Sequence, residues 1–221
     1  MVAPAMPLPA GSVARAGVRA LSGPPAAVLF LDCDDCLYQN NWATAKKITT
    51  SIAAYTSQRG VTKDKAYSLY KEYGTCLRGM IATGLADAAG AEDFLHEVHL
   101  IDYSDVYSDP PLAEMLSRLA LPTWVFTAST SEHATRCLQR VGLDTMPQLR
   151  GVIDCRACEL ETKHSRSSFE IAMKMAGVRK NARRSAEFSA GATSSGACVA
   201  WPSGVLLRWS VAPTHPLTLH R

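Results

Sequence analysis

The segment AAVLFLD (26–32) constrains the fold most, because it is a short apolar run that ends directly in an acid. Its length and its Val, Leu and Phe content predict a buried strand of the kind found in parallel sheets. Two further acids and two cysteines follow at once in CDDC (33–36). Open parallel sheets bind ligands at the carboxyl ends of their strands. The chain therefore places its densest group of reactive side chains where such a fold holds its site.

A long helical stretch, residues 42–104, is predicted to follow the first strand. One helix covers 43–60, and a second runs from near Thr62 to Gly74. We expect residues 75–101 to be helical in pieces that are broken by three glycines, Gly79, Gly84 and Gly90. This is more helix than one crossover between strands needs, so the stretch is predicted to be an inserted helical cap.

Strands and helices then alternate with short loops as far as residue 178. The pattern predicts a helix over 112–120, strands over 123–127 and 151–155, and helices opened by capping boxes at Ser129/Glu132 and Ser167/Glu170. Such alternation predicts an α/β fold, namely a Rossmann-like parallel sheet with helices on both faces. Its core would comprise residues 27–41 and 105–178.

The two ends of the chain differ from its acidic middle. Residues 1–26 are rich in Ala and Pro and contain no acid, which suits either a disordered leader or a transit peptide. These alternatives place the protein in the cytoplasm, or in a plastid or mitochondrion. Residues 179–221 are basic and irregular apart from a weak hairpin around 202–204. We therefore expect the sheet to lack its next strand and helix, which leaves the C-terminal part of the core incomplete.

Composition limits the partners. The net charge of +3 is concentrated in the two ends, so the middle gives no general attraction to nucleic acid. No apolar run approaches the roughly 18 residues of a membrane span. The seven cysteines are an odd number and no secretory signal precedes them, which favours reduced thiols inside a cell.

Three motifs, in this order, resemble those of the haloacid-dehalogenase-like phosphohydrolases. FLDCDDCLY (30–38) resembles the D-x-D opening motif, WVFTAS (124–129) an apolar strand ending in Thr, and ETKHSRSSFEIAMKMAGV (161–178) a Lys just before a helix. YKEYGTCLRGM (70–80) and FTASTSEHATRCLQRVGL (126–143) are similar to the pyrimidine 5′-nucleotidase branch. The resemblance covers about residues 27–178 and implies a phosphatase of nucleoside monophosphates.

The resemblance also implies roles for individual residues. Asp32 would attack the phosphorus and form an aspartyl-phosphate, and Asp34 would protonate the leaving alcohol and then activate water. The side chain of Asp32 and the main-chain carbonyl of Asp34 would hold Mg²⁺. Thr127, with Ala128 beside it, and Lys163 would bind the transferred phosphoryl group. Chemistry of this kind depends mainly on positioning and on charge stabilisation.

Four further residues are less sharply defined. In the helical stretch, Tyr73 and Arg78 are candidates for base stacking and substrate contact, with cap packing and a surface charge as the equal alternative. Asp35 is expected to face solvent. Cys36 stands where the wider family has Thr or Val, and a thiol there should be tolerated.

The family's fourth motif, an acidic pair that completes the Mg²⁺ site, has no counterpart here. The last aspartate is Asp154, and after Lys163 the acids are Glu170 and Glu187. Glu187 falls near the expected distance, but RRSAEFSAG is not typical of a buried strand. Two hypotheses therefore stay open. The chain is either an Mg²⁺-dependent phosphatase, or a truncated, catalytically weak or inactive pseudoenzyme that binds a phosphorylated ligand or a partner.

A third hypothesis concerns the thiols. Cys33/Cys36 and Cys155/Cys158 each form a C-x-x-C pair, which would suit a zinc or redox site. Neither pair lies in a Gly-rich knuckle, and the first lies inside the acid cluster, so this hypothesis ranks last.

Overall fold

The structure is a computed structural model that describes residues 28–119 and 121–178 with their side chains, and the backbone of 197–200 and 205–209. Within these residues the protein is a mixed α/β fold with seven helices and a sheet that contains three consecutive parallel strands. The predicted leader at 1–26 and the substitute ligand Glu187 lie outside the described residues.

The sheet is built around its first strand. Strand β1 is Val28–Leu31, β2 is Thr123–Phe126 and β3 is Leu149–Ile153, and the strand order β3-β2-β1 places β1 beside β2. All four residues of β1 are buried. Their side chains alternate between two apolar clusters, so both faces of β1 are covered, as expected for a parallel sheet.

Helices cover both faces of the sheet. Helices α5 (Pro110–Ser117) and α6 (Ser131–Val141) pack on the face reached by Leu29 and Leu31, and α7 (Arg166–Met175) packs on the face reached by Val28 and Phe30. The predicted α/β alternation is therefore confirmed for these elements.

The caps of these helices differ from the predicted ones. The side chain of Thr130, not Ser129, accepts the hydrogen bond that begins α6, and Ser165, not Ser167, begins α7. Helix α5 begins at Pro110 because Asp109 caps it and proline suits the first helical position. The hydroxyl of Ser129 therefore does not cap α6.

Two strands near the C-terminus add to the same sheet. The predicted hairpin is confirmed as β4 (Ala197–Ala200) antiparallel to β5 (Val205–Trp209). The backbone of β5 also runs parallel to β1, with Leu31 level with Arg208. The expectation that no further strand follows β3 in the sheet is therefore wrong for the backbone, because β5 occupies the free edge of β1.

Four helices between β1 and β2 pack around their own apolar cluster. They are α1 (Ala43–Gln58), α2 (Lys63–Tyr73), α3 (Cys76–Ala82) and α4 (Ala88–Val98). Gly79 and Gly90 lie inside helices α3 and α4, so the prediction that they interrupt the helical structure is wrong. Gly79 is needed for packing, since a Cβ there would meet the Cβ of Leu69 at 2.6 Å. None of the helices within the described residues is long and apolar enough to cross a membrane.

Candidate functional site

The predicted site residues meet at the carboxyl ends of β1 and β2. Asp32 and Asp34 follow β1, Thr127 follows β2, and Lys163 lies in the turn before α7. Because the two strands are parallel neighbours, their following residues emerge at the same edge of the sheet. The structure therefore brings together residues from three segments that are widely separated along the chain.

Asp32 and Lys163 form a largely buried ion pair. Lys163 Nζ contacts Asp32 Oδ2, and their side chains are only 13% and 15% exposed. The backbone N–H of Cys33 donates to Asp32 Oδ1 at 2.9 Å, and Cys36 Sγ lies 3.6 Å from Asp32 Oδ2. The carboxylate is thus oriented from both sides, with a positive charge beside it that could bind an anionic ligand.

Asp34 is the centre of a second, denser network. Its Oδ1 accepts from Tyr38 Oη at 2.7 Å and contacts His133 Nε2 at 2.6 Å. Its Oδ2 accepts from Ser129 Oγ at 2.9 Å, with Thr127 Oγ1 at 3.5 Å. Both carboxylate oxygens are therefore engaged by protein groups.

This network sets the charge states of Asp34 and His133. Burial alone would raise the pKa of Asp34, but the hydrogen bond and charge of His133, with the hydroxyls of Tyr38 and Ser129, lower that pKa well below its usual range. Burial would lower the pKa of His133, yet the hydrogen bonds to Asp34 and Cys137 and the charge of Asp34 raise it to about 11. The pair is therefore Asp⁻ and His⁺ at neutral pH.

Two buried thiols lie against this pair. Cys33 is fully buried and Cys137 is 1% exposed. Their mutual hydrogen bond raises the pKa of Cys33 well above its ordinary value and lowers that of Cys137 to about 6, with His133 favouring the Cys137 thiolate. Sγ of Cys137 lies 3.6 Å from His133 Nε2. These opposite shifts favour the thiolate at Cys137 and the thiol at Cys33.

Asp35 differs from its prediction, because it is half-buried instead of facing solvent. Its backbone is left-handed, with φ of 54°. Burial and the charges of Asp34 and Asp32 raise its pKa to about 6. It is the acid of this loop whose pKa is raised toward neutrality.

The candidate residues of the helical stretch lie in two different settings. Tyr73 is partly buried against the helical cluster. Arg78 forms an ion pair with Glu161, two residues before Lys163. Gly74 lies beside the same segment, since a Cβ there would meet Thr162 Cγ2 at 2.5 Å. Arg78 therefore links the helices to the segment that carries Lys163.

The predicted phosphate-binding position Ala128 is exposed and follows the end of β2.

Four residues of the site were not predicted, namely Tyr38, Ser129, His133 and Cys137. Helical periodicity could have predicted that two of them lie together, because His133 lies four residues before Cys137 and therefore on the same face of α6. Tyr38 likewise lies four residues after Asp34. The role of Ser129 had no such signal, since its distance from Asp34 depends on the pairing of β1 with β2.

The donors around Asp32 do not complete a site for a hard cation. Among the described residues, no set of three carboxylates surrounds Asp32, and its Oδ2 is already paired with Lys163. Mg²⁺ prefers an octahedral set of oxygens. The side chains described here therefore do not fit that ion on their own.

The described thiols, carboxylates and imidazoles contain one other group with metal-ligand spacing, formed by Cys33, Asp34 and Cys137. It includes Cys33 from the first C-x-x-C pair and no cysteine from the second. Cys155 and Cys158 lie in two separate apolar clusters, away from Cys33. The hypothesis of a four-thiolate site is therefore wrong.

The chain matches none of the family models against which it was compared.

Proposed function

We propose that this chain is a phosphoric monoester hydrolase of the haloacid-dehalogenase-like type, with nucleoside 5′-monophosphates of the pyrimidine series as substrates. The observation that carries the proposal is the buried ion pair of Asp32 and Lys163 at the carboxyl end of β1. Thr127, which follows the neighbouring strand β2, lies with its Oγ1 3.5 Å from Oδ2 of Asp34, in the loop that carries Asp32. A nucleophilic carboxylate paired with a cation, with a hydroxyl beside the same loop, suits a transferred phosphoryl group.

In this proposal the reaction has two steps. An oxygen of Asp32 forms a bond to phosphorus as the bond from phosphorus to the alcohol oxygen breaks, and a neighbouring carboxylic acid gives its proton to the alcohol. Water then attacks the phosphorus of the aspartyl-phosphate and loses a proton to the carboxylate formed in the first step, as the bond from phosphorus to Asp32 breaks and phosphate is released. Lys163 offsets the negative charge in both steps, and Thr127 donates a hydrogen bond to a phosphoryl oxygen.

The resemblance assigns the acid–base role to Asp34, and its environment opposes that role. Its lowered pKa and its four protein contacts favour a carboxylate that holds no proton at neutral pH. A general acid works best with a pKa near the working pH. Asp35, with its pKa raised to about 6, is better suited to supply the proton.

Magnesium would serve here by neutralising phosphate charge, held by the Asp32 side chain and the main-chain carbonyl of Asp34. Because the described donors do not complete its coordination, no step above is assigned to it. We further propose that α1 to α4 act as an inserted cap over the site in a Rossmann-like core. The Arg78–Glu161 ion pair, next to the Lys163 segment, supports that placement.

A second candidate function is binding without turnover. The engagement of both Asp34 oxygens favours it, because the acid is already satisfied by Tyr38, Ser129 and His133. In this form Lys163 and Thr127 would hold a phosphorylated ligand, while leaving-group protonation would be too slow for measurable release.

The test measures phosphate release from uridine and cytidine monophosphates by the purified chain, with and without Mg²⁺. Asp32→Asn is the matched control, since it removes the nucleophile with little change in volume. Release that needs Asp32 supports the hydrolase. Binding of uridine monophosphate that needs Lys163, with release no greater than that of Asp32→Asn, supports the second function. A folded chain that neither binds nor hydrolyses either nucleotide contradicts both.

A further inference from the structure

We propose that Cys33, Asp34 and Cys137 form a binding site for a thiophilic divalent metal of the zinc class, distinct from the oxygen-ligand site considered above. Each residue offers one ligand atom, and the three atoms lie within 4.8 Å of one another. A tetrahedral metal with bonds of about 2.3 Å to sulfur and about 2.1 Å to oxygen separates its ligand atoms by less than 4 Å. The observed spacing therefore needs only a small contraction.

The donor chemistry selects the metal. Two sulfurs and one carboxylate oxygen suit Zn²⁺ and its analogue Co²⁺, whereas Mg²⁺ and Ca²⁺ prefer oxygen alone. A metal bound here would displace the protons of the two thiols. The two residues come from different elements, the loop after β1 and helix α6, so the metal would join them.

The position of His133 also favours the site. His133 Nε2 lies 2.6 Å from Asp34 Oδ1, and its Nδ1 lies 2.8 Å from Tyr103 Oη. His133 is thus a fixed hydrogen-bond donor that orients the ligand carboxylate, as outer partners of metal ligands commonly do.

A route for the ion exists on one side. Both thiols are inaccessible, but the Asp34 side chain is 30% exposed. A cation would therefore reach Asp34 first and then the two sulfurs. With three protein ligands, the fourth coordination position would remain for water.

The consequence for catalysis rests on the proposed hydrolase function. Asp34 shares its loop with the nucleophile Asp32, so a metal bound to its carboxylate would hold that loop and slow phosphate release. The binding test below uses no substrate, so a failure of the hydrolase proposal leaves its result unaffected.

The experiment titrates Co²⁺ into the full-length chain, freed of metal and kept reduced with a phosphine that binds cobalt weakly. We expect one Co²⁺ per chain, with sulfur-to-cobalt charge-transfer absorption and the visible bands of tetrahedral cobalt. Zn²⁺ should displace it stoichiometrically, and excess Mg²⁺ should not. Cys137→Ser and Cys33→Ser should each lower the affinity by more than about 100-fold.

The matched control is Cys155→Ser, which removes a buried thiol outside the group and should leave the spectrum unchanged. Far-ultraviolet circular dichroism and a thermal melt establish that each variant is folded, and the two serine variants of the group serve as independent tests. The proposal is overturned if wild-type chain shows no sulfur-to-cobalt band, if both folded variants keep it, or if Cys155→Ser removes it.

Discussion

The protonation states of His133 and Cys137 predict how the free energy of unfolding depends on pH. The predicted slope has opposite signs for two substitutions. In the folded chain the pKa of His133 is raised to about 11 and that of Cys137 is lowered to about 6, against ordinary values of 6.5 and 9.0. Between pH 7 and pH 8.5 the folded pair holds one proton, on His133. The unfolded pair also holds one, on Cys137. Because the counts are equal, these two groups give the wild type no net dependence of unfolding free energy on pH.

Each substitution exposes the contribution of the remaining group. In Cys137→Ser the remaining group is His133, whose pKa is raised in the folded chain. A raised pKa stabilises the fold below the unfolded pKa, and this stabilisation is lost as pH rises, so the variant should become less stable with pH. A lowered pKa gains effect as pH rises toward the unfolded value. The hydrogen bond of Cys33, the largest cause of the lowered pKa of Cys137, remains in His133→Gln, so this variant should become more stable with pH. Each slope is at most about 1.4 kcal/mol per pH unit, or about 2 kcal/mol across this window.

The assay is urea unfolding, followed by circular dichroism, at four pH values from 7 to 8.5 with a metal chelator present. The window lies above the pKa of Asp35, which is about 6, and above that of His99, which burial lowers from 6.5, so both groups are largely deprotonated in the folded chain. Parallel profiles for the two variants, or slopes of the same sign, would refute the proton assignment.

Three further predictions concern positions that support the site. Gly74→Ala should destabilise the chain by about 2 kcal/mol or more in urea unfolding, because φ is +84° and the new Cβ would meet Thr162. It should also weaken phosphate binding through Lys163, whereas Gly60→Ala, with open space around it, should show only the cost of its backbone. Asp154→Asn should cost about 1–3 kcal/mol, since Asp154 accepts from both the backbone N–H and the hydroxyl of Ser131 at the start of α6; unchanged stability would contradict this role. Asp35→Asn should remove from the pH profile of phosphate release the fall in rate as pH rises through about 6, because a proton donor must be protonated to act; a retained fall would assign the proton elsewhere.

The sequence predicted the parts of the fold that depend on local patterns. The apolar run before Asp32, the stripe of α6 and the stop at Gly142 were each confirmed, because periodicity and left-handed glycines report directly on local structure. The helix starts at 129 and 167 were misplaced because serines and threonines crowd both segments. Any of them can cap a helix, and tertiary packing decides which one does.

The site was predictable only where it lies on strand ends. Asp32, Thr127 and Lys163 follow or precede regular elements, so their convergence follows from a parallel sheet. The environment of Asp34 was not predictable, because it depends on the side chains of α6 reaching back across the sheet. The same holds for β5, whose pairing with β1 joins residues from opposite ends of the chain.

That pairing has a consequence for how the chain acquires its structure. Strand β1 is made early in synthesis, whereas the backbone that covers its free edge belongs to residues 205–209. Until those residues emerge from the ribosome, the apolar segment Val28–Leu31 has an unpaired edge. Contacts between distant parts of a chain form slowly, and exposed apolar edges promote aggregation meanwhile. A chaperone that shields this edge should therefore raise the yield of folded protein.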